Sequence, residues 1–208
     1  DITSRGNFEG KNIPNLINSE IADEEKDFID NCRINLFHYR KKRVHPYKDD
    51  KILTSWNGLM ASAMAIGGRV LNEEKYIQAA ANSVGFILAR LVRNDGRLLA
   101  RYRDGEAAYT AYIDDYAFLV WALIELYEST YRPYYLQKAL EFNTTMLDLF
   151  WDDANGGLFL YGRDAEPLIA RPKEIYDGAV PSGNSVASLN MLRLSRLTGS
   201  HELENKSL

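Results

Sequence analysis

The chain has 208 residues, 46% of them hydrophobic and 26% charged, with a formal net charge of −4. That is a globular composition long enough for a sizeable core, so it excludes a disordered chain, and the charge gives no overall reason to bind nucleic acid. No run reaches the roughly 18 apolar residues of a membrane-spanning helix. A single cysteine excludes an intramolecular disulfide, a CxxC redox pair and a zinc motif.

Residues 1–21 read as an extended lead-in segment, because Gly6, Gly10 and Pro14 interrupt any period. Nothing there reads as a secretory signal. Residues 22–43 read as a helix with Phe28, Ile29, Cys32, Leu36 and Tyr39 on one face. It ends in Arg40-Lys41-Lys42-Arg43, a run that suits a helix C-terminus better than a phosphate site. Cys32 is expected to be buried and inert, and a lone cysteine fits a reduced, cytoplasmic compartment. A loop around His45, Pro46 and Tyr47 follows.

The next segments repeat. A small-residue, apolar helix spans about Thr54 to Leu71. An amphipathic one spans about Glu73 to Val92, with Tyr76, Ala80, Val84, Leu88 and Leu91 in one stripe, and Asn94-Asp95-Gly96 turns the chain. A very apolar helix then spans about Ala111 to Thr130, and an amphipathic one about Arg132 to Phe150, closed by a turn through Asp152, Asp153, Asn155, Gly156 and Gly157. Tyr76 and Tyr135, Gln78 and Gln137, and Ala80 and Ala139 stand at one constant separation, at which Trp56 falls on Asp115. A third unit starts at Ser182, with Leu197-Thr198-Gly199 at its hairpin turn. Repetition of a helical hairpin at this length marks an α/α array.

The two helices of each hairpin differ in kind. Residues 116–124 carry no charge, and a helix apolar all round is buried on every side. Its partner has a polar face with Arg132, Gln137, Lys138, Glu141 and Asp148. The first helix is therefore inner and the second outer. This predicts an all-α fold, a partial (α/α)6 toroid of the six-hairpin glycosidase type, with a flat superhelix of helical pairs as the alternative. The whole of 1–208 reads as part of one toroid domain, with hairpin repeats over 22–208. The chain starts at Asp1 and stops at Leu208 as a new helix begins, which reads as a piece of something longer. The runs Leu98–Tyr102, Leu158–Tyr161 and Leu168–Arg171 read as short β-hairpins over one end of the barrel.

In a toroid all inner helices start at one rim, so the polar and aromatic residues at those starts face one funnel. They form three clusters. The first holds Asp49, Asp50, Lys51, Ser55, Trp56 and Asn57. The second holds Tyr109, Tyr112, Asp114, Asp115 and Tyr116. The third holds Arg171, Lys173, Glu174, Tyr176, Asp177, Ser182, Asn184 and Ser185. Rings to stack and carboxylates to meet hydroxyls or move protons are what a sugar site needs. Each has an ordinary reading beside it. Asp114, Asp115 and Ser182 suit helix caps, Asp177-Gly178 suits a turn, and Trp56 suits a core. His38, His45 and His201 fall at no inner-helix start. The chain carries no HExxH, nucleophile elbow or glycine-rich phosphate loop, and no carboxylate spacing that marks a metal site, so neither metal nor cofactor is expected.

The motifs Gly6–Ile13 (GNFEGKNI), Pro46–Met60 (PYKDDKILTSWNGLM), Asp114–Leu119 (DDYAFL), Phe150–Asp152 (FWD) and Arg171–Ser185 (RPKEIYDGAVPSGNS) span the chain. In these the chain resembles the YyaL-type, spermatogenesis-associated protein 20-like family. The resemblance implies a six-hairpin toroid related to glycosidases and N-acylglucosamine 2-epimerases, here in part only. It also implies an N-terminal thioredoxin-like domain in the full-length relatives, outside the part of them that this chain resembles. Sugar 2-epimerases use histidines at the funnel; none stands there in this chain.

Two functions follow as expectations. One is a carbohydrate-active enzyme, with Asp115, Asp177 and Glu174 as acid–base candidates. Trp56, Asn57, Asp50, Tyr112, Tyr116, Arg171, Lys173, Tyr176 and Asn184 would then bind a small-molecule sugar. The other is a non-catalytic scaffold whose funnel holds a peptide, glycan or partner domain. Unpartnered inner-helix faces predict self-association of the chain.

Overall fold

Helices form where the periodicity placed them: α1 (Asp23–Lys41), α2 (Thr54–Leu71), α3 (Glu74–Arg90), α4 (Ile113–Thr130), α5 (Pro133–Phe150), α6 (Gly183–Thr198) and a short α7 (His201–Ser207). The structure, a computed structural model, describes residues 3–15, 17, 20–166 and 169–208. Local chemistry sets the ends. Pro133 opens α5, where its missing N–H costs nothing. Asn72 and Gly199 end α2 and α6 in the left-handed conformation that stops a helix.

The chain divides into two compact units, Asp1–Asp49 and Asp50–Leu208. The first holds α1, which buries no residue completely. Ile29 and Cys32 are half-buried and Phe28, Leu36 and Tyr39 are exposed, so Cys32 is not the fully buried thiol expected.

The second unit holds the core. Helix α4 is its axis, buried from Ile113 through Leu126 apart from Asp114 and Trp121. It packs against α2, α5 and α6, and α3 packs on α2 as the outer member of its hairpin. The approach of α2 to α4 is close: a Cβ at Gly58 would lie 2.8 Å from the backbone carbon of Phe118. At the C-terminal ends of the inner helices, Glu125 accepts from Arg69 of α2 (3.1 Å), Arg193 of α6 (2.6 Å) and the Trp121 indole (3.1 Å). Glu128 takes the second nitrogen of each arginine.

Strands β1 (Ile52–Leu53), β2 (Leu99–Arg103) and β3 (Glu106–Thr110) make an antiparallel sheet in the order β1-β2-β3. Arg103 pairs with Glu106 across Asp104-Gly105, both at positive φ, which is the two-residue turn that matches strand twist. Leu158–Tyr161, expected as a strand, meets the ladder pattern only at an isolated bridge from Trp151 to Leu158. A side chain takes the partner strand's place: the Asn184 amide accepts from Leu158 N–H (2.8 Å) and donates to Leu158 C=O (2.9 Å). Ile169–Arg171 is not a strand either, and Leu168 lies outside the described residues.

Candidate functional site at the inner-helix rim

Two consecutive aspartates at the start of α4 tie the first turns of three inner helices together. Asp115 accepts from Tyr112 N–H at its own helix start and from Ser55 N–H in the first turn of α2, both at 2.9 Å. Asp114 accepts from the backbone N–H of Gly183, in the first turn of α6. Gly183 is glycine for a spatial reason, since a Cβ there would lie 2.4 Å from an Asp114 carboxyl oxygen. Exposed N–H groups at helix starts attract anions, and each aspartate satisfies a neighbour's as well as serving its own helix.

Burial pushes the Asp115 carboxyl up to about 6, against the three hydrogen bonds from Tyr112 and Ser55 that favour its charge. Asp114, less buried, is also raised, first by desolvation and then by the charge of Glu174. Two carboxyls that hold protons more tightly than usual therefore stand side by side in a cavity of about 380 Å³, lined also by Leu53, Ser55, Ala100, Tyr112, Leu160 and Tyr161.

The other sequence candidates fall into three groups. Tyr112 lines the cavity, and Glu174 bears on it through its charge. A second group holds the surrounding loops in place. Asn57 donates to Leu53 C=O (2.8 Å) and accepts from Ser83 of α3. Asp50 pairs with Arg103 at 3.0 Å. Lys173 binds Asp152 (2.6 Å) and the carbonyl of Gly156, and so holds Asp152 well below the usual carboxylate range. Arg171 stacks over Phe159 at 4.1 Å and donates to Tyr161 C=O. Asn184 adds a bond to Glu174 C=O to its pair with Leu158. Asp177 accepts from Ser182 N–H (2.8 Å) and Ser185 Oγ (3.0 Å), which lowers its pKa and commits it to the α6 cap.

The third group lies outside the cavity lining. Tyr116 is fully buried between Phe142 and Phe150, its hydroxyl taking bonds from Arg97 and from Leu98 N–H. Trp56 and Tyr176 are 64% and 79% exposed and are not among the cavity's lining residues. Tyr161, expected in a strand and not among the sequence candidates, lies in a loop and lines the cavity. The usable signal was an aromatic in the loop after an outer helix.

No protein-family model matches the chain. It is 36% identical over 181 residues to human spermatogenesis-associated protein 20, covering 82% of this chain and 23% of that protein. It is 32% identical to an uncharacterised Caenorhabditis elegans protein, covering 91% of this chain and 27% of that one. The chain thus spans about a quarter of the length of the relatives it matches. Among solved structures it resembles the cellobiose 2-epimerase of Bacillus thermoamylovorans, with a TM-score of 0.64 at 16% identity over 88% of this chain and 54% of that one. It also resembles an α-1,6-mannanase of Salegentibacter, with a TM-score of 0.61 at 12% identity over 89% and 53%. That structure is an inactive variant, with two consecutive aspartates replaced by asparagine, in complex with α-1,6-mannotriose. By sequence the chain is a homologue of the spermatogenesis-associated protein 20 family, and by fold it is part of an (α/α)6 toroid of the kind found in carbohydrate-active enzymes.

Proposed function

We propose that the rim cavity binds a carbohydrate, with Asp114 and Asp115 as the carboxyls that meet its hydroxyls. The observation that carries this reading is the convergence of three inner-helix starts on one cavity holding two proton-retaining carboxyls and two tyrosines. Carboxylates accept from sugar hydroxyls, and aromatic faces take the C–H face of a pyranose. If a reaction occurs there, Asp114 is the acid–base candidate and Asp115 supports it, with Glu174 holding the Asp114 proton more tightly. The mannanase supports this by analogy, since replacement of two adjacent aspartates accompanies its inactive state.

One observation favours the second reading, a binding module without chemistry. Each oxygen of Asp115 already accepts from a backbone amide, which is what a structural cap requires. Nuclear magnetic resonance titration with neutral mono- and disaccharides tests both. Shifts should centre on Tyr112, Asp114 and Tyr161, and Asp114→Asn should weaken binding. Turnover that Asp114→Asn removes while binding survives would select the enzyme. No perturbation of these residues by any sugar would end the carbohydrate reading.

A further inference from the structure

Two cavities open side by side at the rim. The larger, about 380 Å³, holds Ser55, Asp114 and Asp115, and the smaller, about 210 Å³, is lined by Thr110, Ala111, Gly162, Ala165 and Glu166. Tyr112 and Tyr161 line both. Their rings meet edge to face, with centroids 5.5 Å apart at 66°, so the pair is a fixed shared wall. Small-molecule sites usually enclose about 300–1,000 Å³. The larger cavity reaches that range alone; the smaller reaches it only as an extension of the larger.

The lining chemistry selects further. Asp114, Asp115 and Glu166 supply acceptors, Ser55 and Thr110 supply hydroxyls, and none of the described lining residues is basic. Glu174 adds its negative charge beside Asp114. An anionic sugar meets the lining carboxylates, whereas a neutral one meets acceptors for its hydroxyls.

Building on the carbohydrate reading above, we infer that the rim takes a neutral oligosaccharide of at least two units. One unit sits beside Asp114 and Asp115, and the next crosses the Tyr112–Tyr161 wall toward Thr110 and Glu166. A chain of sugars suits this shape because its ring faces are apolar and its hydroxyls project outward. The first meet the tyrosines, and the second meet the carboxyls and hydroxyls of each cavity.

Calorimetric titration of the intact chain with mannose, mannobiose, mannotriose and a uronic-acid disaccharide tests this. The two-unit neutral sugar should bind about tenfold tighter than the one-unit sugar, a gain of about 1.4 kcal/mol. The uronic-acid disaccharide should bind about tenfold more weakly than its neutral counterpart. Ala165→Trp fills only the smaller cavity, and should collapse the two-unit to one-unit affinity ratio toward unity. Equal affinity for one and two units in the unaltered chain overturns the extended site and leaves the carbohydrate reading standing. So does an unchanged ratio in a folded Ala165→Trp protein. Binding of no sugar at all overturns both.

Discussion

At the residue scale the aspartate pair at the start of α4 controls the rim. An ordinary aspartate titrates near 3.8, and Asp115 is pushed up to about 6 by burial. Between those values the folded protein holds a proton that the unfolded chain has released. Stability from this group is therefore full at low pH and falls as pH rises through the window, by roughly 3 kcal/mol. Asp115→Asn cannot titrate, so urea unfolding from pH 4 to pH 7 should show the unaltered chain losing most of that amount relative to the variant. Parallel profiles would refute the assignment. Asn184 does a different job, since its amide replaces a strand partner for Leu158 and holds Glu174 C=O. Asn184→Ala leaves those backbone groups without their partner and should cost about 2 kcal/mol. Its specific signature is faster amide hydrogen exchange at Leu158 N–H, without which a merely global destabilisation would be the better account.

At the element scale the three inner helices are tied at both ends. Asp114 and Asp115 join their first turns, and Glu125 and Glu128 join their C-terminal halves through Arg69 and Arg193. Ties at both ends require α2, α4 and α6 to run parallel, which is what brings their N-termini to one rim. Glu125 is almost wholly buried, so removing it leaves two arginines with only Glu128 to face. Glu125→Ala should destabilise the chain by about 3 kcal/mol. It should also lower the exchange protection of α2 and α6 together, and protection lost in one helix alone would contradict the shared tie.

At the scale of the whole molecule, the core belongs to Asp50–Leu208. Every buried hydrophobic residue described lies between Ala61 and Leu194, and unit Asp1–Asp49 supplies none. A chain starting at Asp50 should therefore keep its cooperative thermal transition, with a midpoint within about 5 °C of the full chain, a shift of roughly 1–2 kcal/mol. Loss of the transition in circular dichroism would show that the first unit is needed for folding. Among the described residues no helix is long and apolar enough to cross a membrane.

Amphipathic period and composition determined the helices and their inner and outer roles, and left the toroid and a flat superhelix as the two arrays that fit. Burial of a continuous apolar stripe needs no knowledge of which neighbour covers it, so α4 announced itself through residues 116–124. The same local logic correctly put carboxylates and hydroxyls at helix starts. Their partners were decided only by tertiary structure, because a cap looks the same in sequence whether it serves its own helix or the next. Asp115 reaches Ser55 and Asp114 reaches Gly183 across the packed interface between helices. Tyr116, one turn further along α4, is fully buried in the core, while Tyr112, the N-cap residue, stays at the rim. Tyr161 joins it from a loop whose strand partner is a single asparagine, a pairing that no period-two pattern encodes.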